Sequence, residues 1–290
     1  MHELVKFAMR GPKQAIIIAS ISVLIPMMFW FGAGIVGLIT LRKGLTQGLV
    51  VFSWTIIPAL VWWFSVQDPG ALIVLFSTFV MSAVLRYTVS WQSTLAIGGL
   101  ISLATGMLAP YIMPEMIDIL MEMASQIFQD LAESTQQEYN AEFQESFRTL
   151  MIASFAASFY GMAVGSVFLA RSWQAQLFNP GAWQEEFHQL RMSPRFMVVL
   201  LSLVAILPAI GIDSSLFMMI AMVPVLACGI ALVHGVIGKK QMGGHWLFGF
   251  YISAVMLFPT VLMLLAFLAM LDSLVNFRSR IQASNRAGGD

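Results

Sequence analysis

The most distinctive polar residues of this 290-residue chain lie close to its C-terminus. Asp272 and Asn276 are four residues apart, so they would share one face of a helix. Arg278 follows Asp272 by six residues, and these two charges can pair only if the helix ends or bends between them. The plainer interpretation is an interfacial helix end whose charged side chains extend toward water.

Histidine and cysteine do not indicate a metal centre. His234 lies near the end of a hydrophobic segment, and His2, His188 and His245 are scattered along the chain. Since no Asp or Glu is close to His234 in sequence, we interpret it as a structural residue and predict no metal site. The single cysteine, Cys228, lies in an apolar run and can form no intrachain disulfide.

Catalytic motifs are missing as well. The sequence contains no H-E-x-x-H, no G-x-S-x-G and no P-loop. Nearly every charge falls at the end of a hydrophobic segment or in a loop, whereas ion paths and proton relays place charges inside the membrane. We therefore predict no enzyme, no cofactor and no ion-coupled carrier, although an intramembrane enzyme built from converging polar residues stays a third alternative. No basic patch interleaves with aromatic residues, which argues against nucleic-acid binding.

Composition indicates a membrane protein. Hydrophobic residues make up 59% of the chain and charged residues only 10%, against roughly 25% charged in soluble domains. Apolar runs of this length satisfy their backbone in lipid only as helices. The sequence predicts an all-α polytopic bundle forming one membrane domain over 1–290, with eight segments: Ala15–Leu41, Gly48–Val66, Ala71–Leu85, Trp91–Ala109, Leu150–Ala170, Phe196–Ile212, Ser215–Ile237 and Trp246–Leu271.

The two signs of charge are segregated along the chain. Two crossings separate each basic group from the next, which places eight basic residues on one side: Arg42, Lys43, Arg86, Arg171, Arg191, Arg195, Lys239 and Lys240. Because short cytoplasmic loops are rich in Lys and Arg, we assign this side to the cytoplasm. The first and last segments are interrupted by Pro26 and Pro259, and each either crosses once or doubles back, so the side of both termini stays open.

One long polar insertion, 113–149, separates the fourth and fifth segments and is predicted to lie outside. It holds eight acidic residues: Glu115, Asp118, Glu122, Asp130, Glu133, Glu138, Glu142 and Glu145. Apolar residues recur at helical spacing from Met113 to Leu131, and Tyr139, Phe143 and Phe147 follow at four-residue intervals. We predict two amphipathic helices that break near Ser134-Thr135, forming either a solvated cap or a lid or partner-docking element.

Small residues recur every four positions in the fifth segment, at Ala153, Ala157, Gly161 and Gly165. Such a line lets another helix approach closely. We interpret it first as packing inside the bundle, with a dimer or partner interface as the alternative. Ala15 and Ala19 form a shorter pair in the first segment.

Three stretches resemble the YybS-like family of bacterial polytopic membrane proteins, whose function is unknown. Asp272-x-x-x-x-Phe277-Arg278 is similar to the family's closing motif, and Gly229-Ile-Ala-Leu-Val-His234 to its penultimate helix. Ile25-Pro26, followed by Gly37-Leu38 and Leu41-Arg42-Lys43-Gly44, resembles its first helix, and the long acidic loop is a departure.

The resemblance implies a multi-pass protein of the bacterial cytoplasmic membrane. The family is distantly similar to the substrate-binding S components of energy-coupling-factor vitamin transporters. This implies a small-molecule pocket near the outer side and a membrane partner docked on Ala15 and Ala19, although Val23 stands where a third small residue would help. The leading hypothesis is thus a non-enzymatic component that binds or helps transport a vitamin-like molecule. The alternative is a scaffold acting through helix contacts with another membrane protein.

Overall fold

The computed structural model describes residues 2–135, 140–211 and 213–281, and all regular structure among them is helical. The predicted all-α bundle is therefore confirmed. Six of the described helices are long and apolar enough to cross a bilayer, so the chain is a multi-pass membrane protein. The Cα packing divides the chain into two compact units. The single membrane domain over 1–290 stays a prediction.

The first unit comprises Met1–Phe178 and Asp213–Ile220. Its described helices are, in chain order, α1 (His2–Arg10), α2 (Pro12–Leu24), α3 (Phe29–Lys43), α4 (Leu45–Val66), α5 (Gly70–Thr88), α6 (Trp91–Ile112), α7 (Pro114–Thr135) and α8 (Ala141–Phe178). The unit also holds the beginning of α11 (Ser215–Lys239).

Helix α3 forms the core of the first unit. Every residue of Phe31–Leu41 is buried, because α3 packs against α2, α4, α5 and α8. Glycines allow this close packing: a methyl group at Gly32 would lie 2.7 Å from the carbonyl oxygen of Ala19, and one at Gly37 would lie 2.8 Å from Ser82 Oγ. At about 1.5 Å per residue, α3 is only about 22 Å long, shorter than the roughly 30 Å hydrocarbon core.

The first hydrophobic segment doubles back and does not cross once. Helix α2 ends at Leu24 and α3 begins at Phe29, and Met27 between them has a φ of +63°. At the far end of α3, the Lys43 ammonium donates to the carbonyl oxygen of Met9 in α1 at 2.9 Å. Helices α2 and α3 therefore form a hairpin, with the beginning of α2 beside the end of α3.

Basic residues collect at this end of the first unit. The Arg86 guanidinium donates to the carbonyl oxygen of Leu41, and that of Arg42 lies 3.9 Å from the centre of the Phe178 ring. Because the first segment is a hairpin, the basic residues of the N-terminus lie at the same end; they are Lys6, Arg10 and Lys13. The N-terminus therefore shares a side with the basic loops of this unit.

Tryptophans mark the opposite end of the first unit. The indole N–H of Trp62 donates to the carbonyl oxygen of Val23 at 2.8 Å, and that of Trp63 to the carbonyl oxygen of Ile112 at 3.0 Å. The ends of α2, α4 and α6 therefore meet here. This charge asymmetry is the one that positive-inside topology requires, and the assignment of the basic side to the cytoplasm stays a prediction.

The acidic insertion forms one separate helix and the beginning of another. Helix α7 ends at Thr135, close to the predicted break, whereas the second polar stretch continues without interruption into the fifth membrane segment as α8, 38 residues long. The ring of Phe128 in α7 lies edge-on to Phe143 and Phe147 of α8, with centroids 5.1 and 5.0 Å apart. Tyr139 and Glu138 lie outside the described residues.

The second unit comprises Asn179–Ile212 and Ala221–Asp290. Apart from the greater part of α11, its described helices are α9 (Ala182–Gln189), α10 (Pro194–Ala209), α12 (His245–Met256), α13 (Phe258–Val275) and α14 (Phe277–Arg280). Helix α9 is short and amphipathic, and it precedes the apolar α10 with a bend of 52°.

The last hydrophobic segment also doubles back. Its break falls at Leu257, and Pro259 follows in the first turn of α13, where proline is tolerated. Helix α12 begins shortly after α11 ends at Lys239, and the returning α13 brings the carbonyl oxygen of Arg278 within 2.6 Å of the Lys239 ammonium. The residues after α13 therefore lie at the basic end of α11.

Candidate functional site

Arg278 joins four parts of the second unit. Its Nε donates to Asp272 Oδ2 at 3.0 Å. Its Nη2 donates to the carbonyl oxygens of Leu190 at 2.8 Å and Cys228 at 3.3 Å, and its Nη1 donates to that of His188. A planar guanidinium suits such a set of acceptors, because its five N–H groups point in fixed directions.

A sharp turn makes the pairing of Asp272 with Arg278 possible. Helix α13 ends at Val275, and Asn276 adopts a left-handed backbone with a φ of +54° while its N–H donates to the Asp272 carbonyl oxygen at 2.9 Å. Phe277 then begins α14, which directs Arg278 back toward Asp272. Asn276 thus caps the helix instead of extending the face of Asp272. The condition that the helix must end between the two charges is met.

The ion pair is buried, so the predicted helix end with charges extending to water is wrong. Asp272 is 1% exposed and the Arg278 side chain 13%. Asp272 Oδ1 has no hydrogen-bond partner among the described residues. Burial lowers the pKa of Arg278 below its ordinary value, and the neighbouring Asp272 carboxylate opposes this shift only in part. The guanidinium stays charged because arginine loses its proton only far above neutral pH.

Two further hydrogen bonds hold the end of α13 against the link between α9 and α10. Ser273 Oγ donates to the carbonyl oxygen of Met192 at 3.0 Å, and Arg191 Nη1 donates to that of Asp272 at 3.3 Å. The backbone around Asp272 is therefore fixed to this link by two neighbouring contacts.

A cavity of about 590 Å³ opens beside this network, with every lining residue in the second unit. Three lining residues carry positive charge: Arg191, Lys239 and Arg278. Asn276 and Ser279 add neutral polar groups, and the lining residues include no Asp or Glu. Its volume is in the range of small-molecule sites, and we refer to it as the basic pocket.

Two glycines of α11 shape one wall of the basic pocket. A methyl group at Gly235 would lie 2.7 Å from the carbonyl oxygen of His188, and one at Gly238 would lie 2.5 Å from its Cε1. Any larger residue would displace His188 and the end of α9. These glycines are thus required for the close approach of the two helices.

His234 is held in an aromatic cluster and does not line the basic pocket. A ring nitrogen lies 2.9 Å from the hydroxyl oxygen of Tyr251, and the ring packs edge-on to Phe187 with centroids 5.4 Å apart. The His188 ring is 6.5 Å away, and the described residues contain no group of three or more potential metal ligands. This position fits the structural role predicted for His234.

The predicted residues of the first segment belong to the first unit. Pro26 lies in the turn of the α2–α3 hairpin, between the two helices. Ala15 and Ala19 have no exposed surface. Both side chains are buried in the packing of the first unit, and a membrane partner docked on these two alanines stays a prediction.

The small residues predicted to form a packing line in the fifth segment lie in α8, and we call them the α8 stripe. The stripe divides into a covered part and an open part. Ala153 is fully buried and Ala157 partly buried. At Gly161 and Gly165 an added methyl group would meet no described atom within 4 Å. Internal packing therefore accounts for the beginning of the stripe and leaves the two glycines without a helix against them in the described part of the chain.

Sequence reasoning missed the basic pocket itself. Arg191 and Lys239 were used only to assign orientation, and Gly235 and Gly238 were not singled out. A weak signal was present, since Gly-Val-Ile-Gly-Lys at 235–239 places two small residues and a cation at one helix end.

No family model matches this chain, no curated protein is similar to it, and no solved structure matches it. The resemblance to the YybS-like family stays a prediction.

Proposed function

We propose that this chain is a non-enzymatic protein of the bacterial cytoplasmic membrane that binds a small molecule in the basic pocket. It would serve as a binding or transport component, with the basic residues on the cytoplasmic side.

The basic pocket carries this proposal. It combines about 590 Å³ of space with several polar groups on different elements of one unit. The buried Asp272–Arg278 pair gives the pocket a defined wall by fixing the residues after α13.

The proposal departs from the family resemblance in one respect. S components would place the small-molecule pocket near the outer side, whereas the basic pocket lies where Lys239 ends α11, on the side predicted to be cytoplasmic. The ligand would therefore be met in, or delivered to, the cytoplasm.

Native mass spectrometry of the detergent-solubilised chain with a panel of vitamins and metabolites tests this function. Ser279→Trp should fill the pocket mouth, and Ser253→Trp in α12 is its matched control. Both serines are exposed and donate to a nearby backbone carbonyl oxygen at 2.8 Å.

We expect wild type and Ser253→Trp to retain the same ligand and Ser279→Trp to lose it. Equal retention by all three proteins, or no retained ligand in wild type, would contradict a binding function for the basic pocket.

The second candidate is a scaffold that contacts another membrane helix through Gly161 and Gly165. Their open surroundings favour it, because a Gly-x-x-x-Gly face allows close helix association in lipid. Replacing both glycines with leucine should abolish partner co-purification, whereas Gly249→Leu, at an equally open glycine of α12, should not. If partners persist in the double variant, this candidate is wrong.

A further inference from the structure

We infer that the ligand of the basic pocket carries a phosphate group, bound by Arg191 and Lys239. This inference rests on the proposed function and names the chemistry of its ligand.

The charge of the pocket is not balanced by its own lining. Arg191, Lys239 and Arg278 line it, and no acidic residue of the described chain does. The nearby carboxylate of Asp272 does not line the cavity and is already paired with Arg278. Two positive charges are therefore left facing the cavity, and an anionic ligand would neutralise them.

The three cations have different tasks. Arg278 already donates hydrogen bonds to Asp272 and to the carbonyl oxygens of His188, Leu190 and Cys228. Its role is therefore to position the wall of the basic pocket.

Arg191 and Lys239 are less committed. Among the described residues, each donates one hydrogen bond to a backbone carbonyl oxygen, that of Asp272 and that of Arg278 respectively. A guanidinium has five N–H groups and an ammonium three, so both residues keep donors for a ligand. A forked guanidinium and a point-charge ammonium on separate elements suit the several oxygens of a phosphate group.

A neutral donor completes the site. The side-chain amide of Asn276 belongs to the lining of the same cavity, whereas the Ser279 hydroxyl already donates its one hydrogen to the Asn276 carbonyl oxygen. The cavity is far larger than one phosphate group, so it has room for a ligand that carries more than the phosphate group. Such a phosphate group could belong to a soluble metabolite or to an anionic phospholipid, and the recognition chemistry is the same.

Isothermal titration of the full chain in neutral detergent with pyrophosphate, at constant ionic strength, tests the inference. Lys239→Gln and Arg191→Gln should each weaken binding about 10- to 100-fold, the range for a lost charge-assisted hydrogen bond. Lys240→Gln is the matched control: Lys240 is adjacent and exposed but does not line the cavity, and its loss should change affinity less than about twofold.

A second experiment distinguishes a phospholipid from a soluble molecule as the source of the phosphate group. Native mass spectrometry from nanodiscs with and without phosphatidylglycerol shows whether a lipid is retained by wild type and lost in Lys239→Gln. Retention of this kind identifies a lipid, and pyrophosphate binding without it identifies a soluble ligand; both support the inference.

Equal binding by Lys239→Gln and Lys240→Gln, or no binding of either probe by wild type, overturns the inference. A neutral molecule that wild type retains and Ser279→Trp loses would then leave the proposed function standing without its phosphate chemistry. If wild type also retains no molecule of the vitamin and metabolite panel, both the phosphate inference and the proposed function are wrong.

Discussion

The two helical hairpins come from similar sequences and have opposite surroundings. Each is an apolar segment interrupted by proline, yet α3 is buried throughout Phe31–Leu41 whereas α12 has no buried residue. Val255 and Met256, at the end of α12, are 76% and 77% exposed. In a membrane protein such apolar surface faces lipid. Hydrophobicity alone therefore does not decide which hairpin becomes core.

Glycine distribution explains the difference. Helix α3 carries Gly32, Gly34 and Gly37, and an added methyl group would be within 3.2 Å of a neighbouring atom at each of them. The glycine of α12, Gly249, has no described neighbour within 4 Å of that position. Lipid chains are as apolar as leucine, so helices associate in membranes through close packing and polar contacts. In the second hairpin α13 packs closely on Gly229 of α11, whereas α12 has no such glycine contact and relies on polar contacts. Three predictions test this contrast, and a fourth concerns a site outside both hairpins.

The largest effect is expected at the buried ion pair that holds the end of the second hairpin. Arg278→Ala leaves the buried Asp272 carboxylate without its cation, which should cost about 3–5 kcal/mol of unfolding free energy. Denaturant titration in detergent measures the loss. Arg280→Ala, on the same short helix but exposed, should change it by less than about 0.5 kcal/mol. Equal losses in the two variants would show that the ion pair does not hold this hairpin.

A smaller effect separates the two hairpins directly. Gly32→Ala should destabilise the first hairpin by about 1–3 kcal/mol, because the new methyl group meets the backbone of Ala19. Gly249→Ala should be neutral or stabilising by up to about 1 kcal/mol, since alanine is the better helix former and the site is open. Thermal unfolding of both variants measures the difference, and a Gly249→Ala loss as large as that of Gly32→Ala would contradict the contrast.

The hydrogen bond between His234 and Tyr251 gives a third, still smaller effect. Tyr251→Phe should cost about 0.5–1.5 kcal/mol, because it removes the 2.9 Å contact while keeping the ring. A double-mutant cycle with His234→Phe measures the coupling between the two side chains. No coupling would mean that α12 is held to α11 by ring packing alone.

Sequence patterns predict which stretches form helices, but they do not predict whether a long apolar segment crosses the membrane or turns back. Hydropathy marks which residues are apolar, but it is the same for Ala15–Leu41 whether the segment crosses or returns. The contacts of Lys43 with Met9 and of Gly32 with Ala19 distinguish these cases. Spacing showed that Asp272 and Arg278 need a turn between them. It could not show that Asn276 adopts the left-handed backbone that makes one.

The basic pocket was harder to predict for a related reason. Its cations come from three separate stretches of chain, and they meet only because His188 packs on Gly235 and Gly238 and because the last segment returns to the end of α11. The α8 stripe shows the same limit: a four-residue period at Ala153–Gly165 predicts a packing face but not where the packed neighbour stops.

The smallest effect is expected at an exposed carboxylate outside both hairpins, at the beginning of α11. The Ser215 N–H donates to Asp213 Oδ1 at 2.7 Å, and this hydrogen bond lowers the pKa of Asp213 below its ordinary value. A carboxylate with a depressed pKa in the folded state adds stability above its unfolded pKa and loses it as pH falls through the folded one. Asp213→Asn keeps an acceptor but not the charge, so wild type should be slightly more stable than the variant at pH 7. That margin should begin to shrink as pH falls to the ordinary aspartate pKa of about 4, and it should be lost once pH has fallen through the lower pKa of the folded state. Thermal midpoints measured from pH 7 to pH 3 check this, and a margin independent of pH would show that the acceptor alone, without its charge, supports the beginning of α11.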